Sequence, residues 1–508
     1  VKQTQPKLDR ICGVVAAGTA AEMQRQLLEA LRDTRTVELR LDWLRSDAER
    51  RRFLGWLRRR RLRAQCVATC RRREAGGRFP GGVSAQRAIL QVAVDAGCQW
   101  YDVEIESLEV ARRAGAPFVP ISPAGNGRGT AQAIISLHRF DRPVDDPEAL
   151  FAHFRGAPPG VWKLAVECRT LAQAIRLARL ARRRPMITVP MGRVAFPVRL
   201  LALREGSLLS YAAVSQSTAP GQPGLAETTH LYRAGRIDGR TRVFGIIGNK
   251  TGHSVSPAMH NAAFAARGIN AIYLPFLVDD LDDFLAAIGP LGIRGFSVTI
   301  PHKQAILPRL DSCDALARRL GAVNTVVVRG GRLRGYNTDY RGVVAALARR
   351  VRLPGSHALL VGAGGAARAA VFALADAGAQ VSILARRAER ARALAREAGA
   401  AAVTRGELRR RSFDLIVNAT PLGMAPDRRS PLRSNELNAP VVFDMVYRPL
   451  RTPLLRLAAE RGLRTISGVE MLVAQGVAQW ELWTGRAAPA RLMRRATLAA
   501  LGAEKDVS

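Results

Sequence analysis

Lysine is almost missing from this 508-residue chain. Of its 78 basic side chains only Lys2, Lys7, Lys163, Lys250, Lys303 and Lys505 are lysine, so arginine carries nearly all of the formal charge of +36. A guanidinium stays protonated at any physiological pH, whereas an amine can release its proton and act as nucleophile or proton carrier. Lys163 and Lys303, which sit inside defined motifs, are therefore the positions to watch for chemistry beyond simple charge. Cysteine is also sparse. Six are scattered along the chain, and the closest pair, Cys66 and Cys70, falls on a predicted strand where that spacing offers no zinc or redox geometry. Buried free thiols and no metal site are expected. No apolar run reaches the roughly 18 residues of a membrane span, and the polar stretch 1–10 leading into the short apolar run 11–17 is unlike a secretory leader. A cytoplasmic protein with no membrane partner is expected. Aromatic residues make up 6% and do not interleave with the arginine runs at 50–52, 58–61 and 182–184. A basic balance alone marks electrostatic potential, not a nucleic-acid site, and no nucleic-acid partner is expected.

What is present reads as folded α/β protein. Hydrophobic residues reach 48% and charged residues 24%, and the length fits about three domains. Over the first half, β-rich runs alternate with helical stretches, the pattern of a parallel sheet with crossover helices. Eight runs qualify as strands, at 12–16, 37–42, 66–70, 101–105, 133–137, 161–166, 186–189 and 209–214. Eight make a (β/α)8 barrel the leading architecture, with an insertion at 117–129 between the fourth and fifth. A Pro/Gly-rich patch at 219–224 and a linker over 231–242 close this region. A second α/β unit follows to about residue 350, and a third opens with the apolar strand after His357.

Barrel chemistry collects at the carboxyl ends of the strands. Glu38 and Arg40 alternate onto one face of the second strand, Arg71 follows the third, His138 ends the fifth and Lys163 lies inside the sixth. Arg199, Thr218 and Gln222 come later. A charged amine in an apolar strand is costly unless paired or neutralised, and burial favours its neutral, nucleophilic form. One lysine, one histidine and several arginines at one mouth suit imine chemistry on a carboxylated ketone.

The second half carries a different set. Ser254 and Ser256 offer hydroxyls at a helix N-terminus, which suits a carboxylate. Thr299 and Lys303 flank Pro301 at a strand end, and Asn324 and Asp339 follow within Gly-Ala-Val-Asn-Thr and Asn-Thr-Asp. Gly362, Ala363, Gly364, Gly365 and Ala366 stand between a strand and a helix, where glycines permit a tight turn and close approach of a pyrophosphate. The next strand ends in Ala385-Arg-Arg387 in place of the acid that usually binds ribose hydroxyls. Arg386 and Arg390 suit a 2′-phosphate, so NADP is expected.

In order, Glu-Leu-Arg-x-Asp at 38–42, Thr-Cys-Arg with Gly76-Gly77, Ser-x-His-x-Phe at 136–140, Lys-Leu-Ala at 163–165 and Ala-Pro-Gly-Gln at 219–222 resemble type I 3-dehydroquinate dehydratase. From about 243 onward, Val-Thr-x-Pro-x-Lys, Gly-Ala-Val-Asn-Thr, Asn-Thr-Asp, Gly-Ala-Gly-Gly, Asn418-Ala-Thr-Pro-Leu-Gly-Met424, Asp444-Met-Val-Tyr447 and Gly468-Val-Glu-Met-Leu-Val-Ala-Gln475 resemble shikimate dehydrogenase. The resemblance implies a bifunctional shikimate-pathway enzyme that dehydrates 3-dehydroquinate and reduces the product, 3-dehydroshikimate, to shikimate with NADPH. Its domains would be a barrel at 1–235, a substrate-binding domain at 240–350 completed by 475–508, and a Rossmann-like NADP domain at 351–474. It also implies roles: Lys163 as imine-forming nucleophile and His138 as general acid/base, with Arg199 and Gln222 on the substrate carboxylate, Thr218 beside them, and Glu38, Arg40 and Arg71 on ring hydroxyls. In the reductase, Lys303 and Asp339 would be the catalytic pair. Ser254, Ser256, Thr299, Asn324, Tyr447 and Gln475 would line the substrate site, with Met445 and Gly468 near the nicotinamide. Two positions depart from the dehydratase pattern. Ala75 stands where a Glu usually partners the histidine, and Arg139 replaces the Asp after it. These losses define an alternative, a working dehydrogenase carrying a degenerate barrel as scaffold.

Overall fold

The computed structural model describes the chain apart from residues 1–7, 116–119, 124–130, 141–143, 220, 253, 349 and 503–508. It divides into two compact units, Val1–Thr241 with Asp282–Gly292, and Arg242–Leu281 with Ile293–Ser508.

The first unit holds eight strands, β1 (Ile11–Val15), β2 (Thr36–Arg40), β3 (Gln65–Thr69), β4 (Trp100–Glu104), β5 (Gln132–Arg139), β6 (Val161–Glu167), β7 (Met186–Met191) and β8 (Ser210–Ala213). Their order, β7-β6-β5-β4-β3-β2-β1-β8, is parallel throughout. At the seam between β7 and β8 the Leu208 amide donates to the Met186 carbonyl (3.0 Å) and the Thr188 amide to Ser207 Oγ (3.1 Å). All eight strands of the expected barrel are thus present. Burial on both faces explains their apolar runs. The helices read their own boundaries. In Leu171–Arg179, Thr170 caps the first turn through the Gln173 amide (3.2 Å), and Leu171, Ala174, Ile175 and Ala178 recur at helical spacing on the buried face.

Two expectations need adjustment. The second strand stops at Arg40, because 41–43 turns into a short 3-10 helix that folds Asp42 back toward Arg40. The stretch expected as a linker, 231–242, contains a helical turn at Ala234–Arg236, with Tyr232, Ala234 and Ile237 buried. Apolar burial, absent from a true linker, accounts for the difference. The expected insertion at 117–129 lies largely outside the described residues.

The second unit contains two sheets. The first, β9 (Arg242–Gly248), β10 (Ala271–Leu277), β11 (Ile293–Val298), β12 (Ser312–Cys313), β13 (Thr325–Arg329) and β14 (Arg332–Tyr336), has the order β10-β9-β11-β13-β14-β12 with β13 antiparallel to both neighbours. The second, β15 (His357–Val361), β16 (Gln380–Leu384), β17 (Ala401–Ala402), β18 (Leu415–Asn418), β19 (Val441–Asp444) and β20 (Arg464–Ser467), is parallel in the order β17-β16-β15-β18-β19-β20, the doubly wound arrangement expected. Helices Thr338–Leu347 and Gly468–Thr484 pack closely at Gly342, where a Cβ would come within 2.9 Å of Met471.

Candidate functional sites

Three adjacent barrel strands build the first site. Lys163 of β6 and Asp102 of β4 meet across β5, with Nζ 2.8 Å from Oδ2, while Ser136 of β5 donates to Asp102 Oδ1 at 2.7 Å. Glu38 of β2 stands 3.6 Å from Lys163 Nζ and accepts from Thr69 Oγ1 (2.9 Å), and the ammonium lies 4.2 Å from the centroid of the Tyr211 ring. All of these side chains are buried. The cost of burying the amine is met by pairing. Burial pushes the Asp102 carboxyl up, but Lys163, Arg71 and His138 outweigh it and hold it below the usual range.

Around this pair stand the expected cations. Arg40 is bidentate to Asp42 (2.9 and 2.8 Å), and Arg71 reaches Asp102 at 3.5 Å. Arg199, on helix Phe196–Leu201, is 2% exposed, and its Nε and Nη1 have no hydrogen-bond partner among the described residues. Burial pushes this guanidinium down to about 10. A buried cation with open donors is a seat for an anion. Thr218 donates from its amide and hydroxyl to Gln222 Oε1 (2.8 and 3.0 Å), so these two predicted residues are joined to each other.

His138 is buried, stacked on Phe140 with centroids 5.6 Å apart, and its Nδ1 has no partner among the described residues. Burial and the positive charges of Arg71 and Lys163 push its imidazole well below the usual 6.5, against the opposing pull of Asp102. The two sequence departures explain the open nitrogen. Ala75 supplies no carboxylate, Glu74 turns outward to Arg72 (3.5 Å), and Arg139 pairs with Glu106 at 2.9 Å. A Cβ at Gly76 would lie 3.1 Å from Phe140, so the loop bearing Ala75 runs beside the ring that stacks on the histidine.

In the second unit Lys303, on the short helix His302–Ala305, donates to Asp339 Oδ2. Asp339 occupies the first turn of a helix capped by Asn337, whose side chain accepts from the Tyr340 amide (3.3 Å). Asn324 Nδ2 donates to Asp339 Oδ1 at 2.8 Å. Ser254 Oγ accepts from the Ser256 amide (3.2 Å) where helix Ser256–Ala266 starts. Thr299 follows β11, its amide bound to the Ile247 carbonyl (3.0 Å). Gln475 lies on the face of helix Gly468–Thr484 that meets Gly342, and Tyr447 packs with Val255 and Val469.

The glycine turn follows β15. Gly362 adopts φ +123°, open to glycine alone without strain, and Gly364 has open space where a Cβ would stand. A Cβ at Gly365 would lie 3.2 Å from Lys303 Cβ, so the turn abuts the Lys303–Asp339 pair. Arg386 and Arg390 are exposed beyond β16, with no carboxylate paired to either among the described residues. This cradle and these open cations fit a phosphorylated dinucleotide. Met445 and Gly468 touch, and Asp444 behind them accepts from the Val446 amide (3.0 Å), Asn418 Nδ2 (2.9 Å) and Thr452 Oγ1 (2.6 Å). Burial raises the Asp444 carboxyl to about 6.

Sequence reasoning missed Asp102, Tyr211 and Asp444. Asp102 carried a usable signal, an acid between Tyr101 and Val103 in the middle of the fully buried strand Trp100–Glu104. No group of three or more metal-ligating side chains occurs among the described residues, and no described helix is long and apolar enough to cross a membrane.

Fold and sites define a barrel built for amine–ketone chemistry joined to a dinucleotide-dependent oxidoreductase. The family profiles agree. Residues 11–238 match type I 3-dehydroquinase, 246–326 the shikimate dehydrogenase substrate binding domain, and 468–498 the shikimate 5'-dehydrogenase C-terminal domain. The chloroplastic bifunctional 3-dehydroquinate dehydratase/shikimate dehydrogenase of Arabidopsis thaliana is 33% identical over 483 residues, covering 90% of this chain and 78% of that protein. A shikimate dehydrogenase (NADP(+)) of Symbiobacterium thermophilum is 48% identical over 281 residues, 52% of this chain and 96% of its own. A crystal structure of the Thermus thermophilus shikimate 5-dehydrogenase with NADP(H) and shikimate aligns over 51% of this chain and all of its own, at 40% identity and a TM-score of 0.48. The chain belongs to the bifunctional 3-dehydroquinate dehydratase/shikimate dehydrogenase family.

Proposed function

We propose that the barrel dehydrates 3-dehydroquinate to 3-dehydroshikimate and that the second unit reduces this product to shikimate with NADPH. Lys163 Nζ attacks the ketone carbon and, with loss of water, forms an imine. His138 takes the proton from the neighbouring carbon and returns it to the departing hydroxyl, and hydrolysis of the imine frees the product. Arg199 and Gln222 hold the carboxylate, with Thr218 beside them, and Glu38, Arg40 and Arg71 bind ring hydroxyls. In the reductase, Ser254 and Ser256 take the carboxylate, and Thr299, Asn324, Tyr447 and Gln475 enclose the ring. Lys303 and Asp339 move the proton at the carbonyl oxygen. The turn Gly362–Ala366, with Arg386 and Arg390, would hold NADP, which supplies the hydride when bound, and Met445 and Gly468 would border its nicotinamide. The three sheets support a division into 1–235, 240–350 with 475–508, and 351–474, although helix Gly468–Thr484 runs unbroken through the last boundary. Six cysteines without a disulfide support a reducing, cytoplasmic setting.

The observation that carries this reading is the buried Lys163, 2.8 Å from Asp102, in a barrel that also holds a buried Arg199 with two donors unfilled among the described residues. The test combines two measurements. Borohydride with 3-dehydroquinate should add a covalent mass at Lys163, absent in Lys163→Arg, while that variant still oxidises shikimate with NADP+. An adduct that persists in the variant overturns the barrel assignment, and an unmodified protein that fails to oxidise shikimate overturns the reductase. His138 Nδ1, without a partner among the described residues, favours slow elimination, so trapping should outlast turnover as the sensitive readout.

A further inference from the structure

Asp444 ends β19 as a fully buried carboxyl that no step of the proposed reduction uses. Its partners show what it holds. Asn418 stands directly across from it at the end of β18, and the Met445 amide donates to the Asn418 carbonyl at 3.0 Å. The Thr420 amide, which can only donate, is bound to Asn418 Oδ1 at 3.0 Å, and the Thr420 hydroxyl donates to the same oxygen at 2.7 Å. The NH2 of Asn418 therefore faces Asp444 and donates to its Oδ1 at 2.9 Å. Thr420 Oγ1 in turn accepts from the Leu422 amide at 3.3 Å. Through Asn418, one oxygen of Asp444 orders the turn 418–422.

The same oxygen accepts from the Val446 amide two residues on, at 3.0 Å, which closes an Asx turn. The other, Oδ2, meets the Thr452 hydroxyl at 2.6 Å, and Thr452 Oγ1 also accepts from the Leu455 amide (3.2 Å) to cap helix Pro453–Glu460. The segment 445–451, which carries Met445 and Tyr447, is thus pinned at its start and at its end by one carboxylate. Met445 packs against Gly468, where a Cβ would collide with the Met445 carbonyl. On the opposite side the turn 418–422 abuts the dinucleotide turn, since a Cβ on Gly362 would lie 3.1 Å from the Ala419 carbonyl and 3.2 Å from Thr420 Cγ2.

We infer that Asp444 is a positioning residue for hydride transfer, holding the segment that borders the nicotinamide and the substrate ring at a set offset from the glycine turn that seats the pyrophosphate. This rests on the proposed reductase site. Asp444 acts through Met445 and Tyr447 on one side and through Asn418 and Thr420 on the other. The phosphate seats, Gly362–Ala366 with Arg386 and Arg390, form no bond to it, so its loss should leave cofactor affinity in place and misalign the reacting carbons. A misplacement of about 1 Å costs about 10²-fold in rate.

Two variants grade the effect. Asp444→Ala leaves Asn418, Val446 and Thr452 without their acceptor. Asp444→Asn keeps an oxygen for Asn418 and Val446 and sets an NH2 against Thr452, which loosens only the far end of the segment. Stopped-flow absorbance should follow NADPH consumption with protein in excess over NADPH and 3-dehydroshikimate saturating. Asp444→Ala should show one phase slowed by about 10²-fold, and Asp444→Asn one phase slowed by about 2- to 10-fold, the worth of one hydrogen bond. The NADPH Kd should stay within about 3-fold of that of the unmodified protein in both, since the phosphate contacts are retained. A rate constant equal to that of the unmodified protein in a variant that binds NADPH overturns the inference. So does a fast phase at the unmodified rate with reduced amplitude, which marks a loss of folded molecules, or a greater loss in Asp444→Asn than in Asp444→Ala. If Asp444→Ala alone loses NADPH binding, Asp444→Asn decides; if both lose it, Asp444 serves the fold and the inference fails. An unmodified protein that consumes no NADPH with 3-dehydroshikimate would instead count against the reductase site itself.

Discussion

Asp102→Asn probes the charge balance on which the barrel chemistry depends. The substitution keeps the shape and an acceptor for Ser136 but removes the carboxylate 2.8 Å from Lys163 and 3.5 Å from Arg71, leaving Lys163 with Glu38 at 3.6 Å. At an effective dielectric near 20 a unit pair at such a separation is worth on the order of 4–6 kcal/mol. Desolvation already present in both proteins and the surviving Glu38 reduce the net loss to about 3 kcal/mol, the low end for breaking a buried pair. Asp102→Asn should therefore unfold at lower urea concentration, with an unfolding free energy about 3 kcal/mol smaller than that of the unmodified protein, while borohydride and 3-dehydroquinate still add a covalent mass at Lys163. An unchanged urea midpoint refutes the reading of Lys163 and Asp102 as a buried ion pair that carries the site.

Three further outcomes are expected. Dehydratase turnover should stay flat as pH falls from 8 past 6.5, because the His138 imidazole is pushed well below that value and its basic form persists in acid; Ala75→Glu should raise kcat by up to about 10-fold and move the acid limb upward as a carboxylate favours the imidazolium, and a limb at 6.5 or above in the unmodified protein refutes this. Asp339→Asn should leave the NADPH Kd nearly unchanged while lowering shikimate oxidation by about 10²–10⁴; turnover near that of the unmodified protein would show the Lys303–Asp339 pair to be misassigned. Arg386→Asp should reduce or reverse a preference for NADP over NAD in kcat/KM, since a carboxylate repels the 2′-phosphate and accepts from ribose hydroxyls; equal use of both cofactors by the unmodified protein would remove the basis for it.

The residues legible in the sequence are those whose chemistry cannot be done by a commoner type. In a chain where arginine fills nearly every cationic position, Lys163 and Lys303 stood out as rare amines inside defined motifs, and glycines after an apolar strand announced the dinucleotide turn. The eight barrel strands were legible because both faces are buried, which leaves unbroken apolar runs. What stayed hidden acts by pairing over long sequence distances. Asp102 lies 61 positions from Lys163, and only the order of the strands in the sheet brings the two together. The error at 231–242 has the same origin, since the burial of Tyr232 and Ile237 depends on packing that local pattern does not encode.

The distribution of acids adds a constraint that the arginine count obscures. Asp42 and Asp102 are consumed by Arg40, Arg71 and Lys163, and Glu38 by Lys163 and Thr69, yet Arg199 is left buried with open donors. In the second unit Asp339 is taken by Lys303 and Asn324, while Arg386 and Arg390 have no carboxylate paired to them among the described residues. If excess arginine alone governed these positions, unpaired guanidiniums would favour the exposed faces where hydration is retained. A guanidinium 2% exposed with two unfilled nitrogens is the opposite case. Its desolvation is recovered only when an anion enters, which supports the proposed place of Arg199, more than the overall charge, as the seat of the substrate carboxylate.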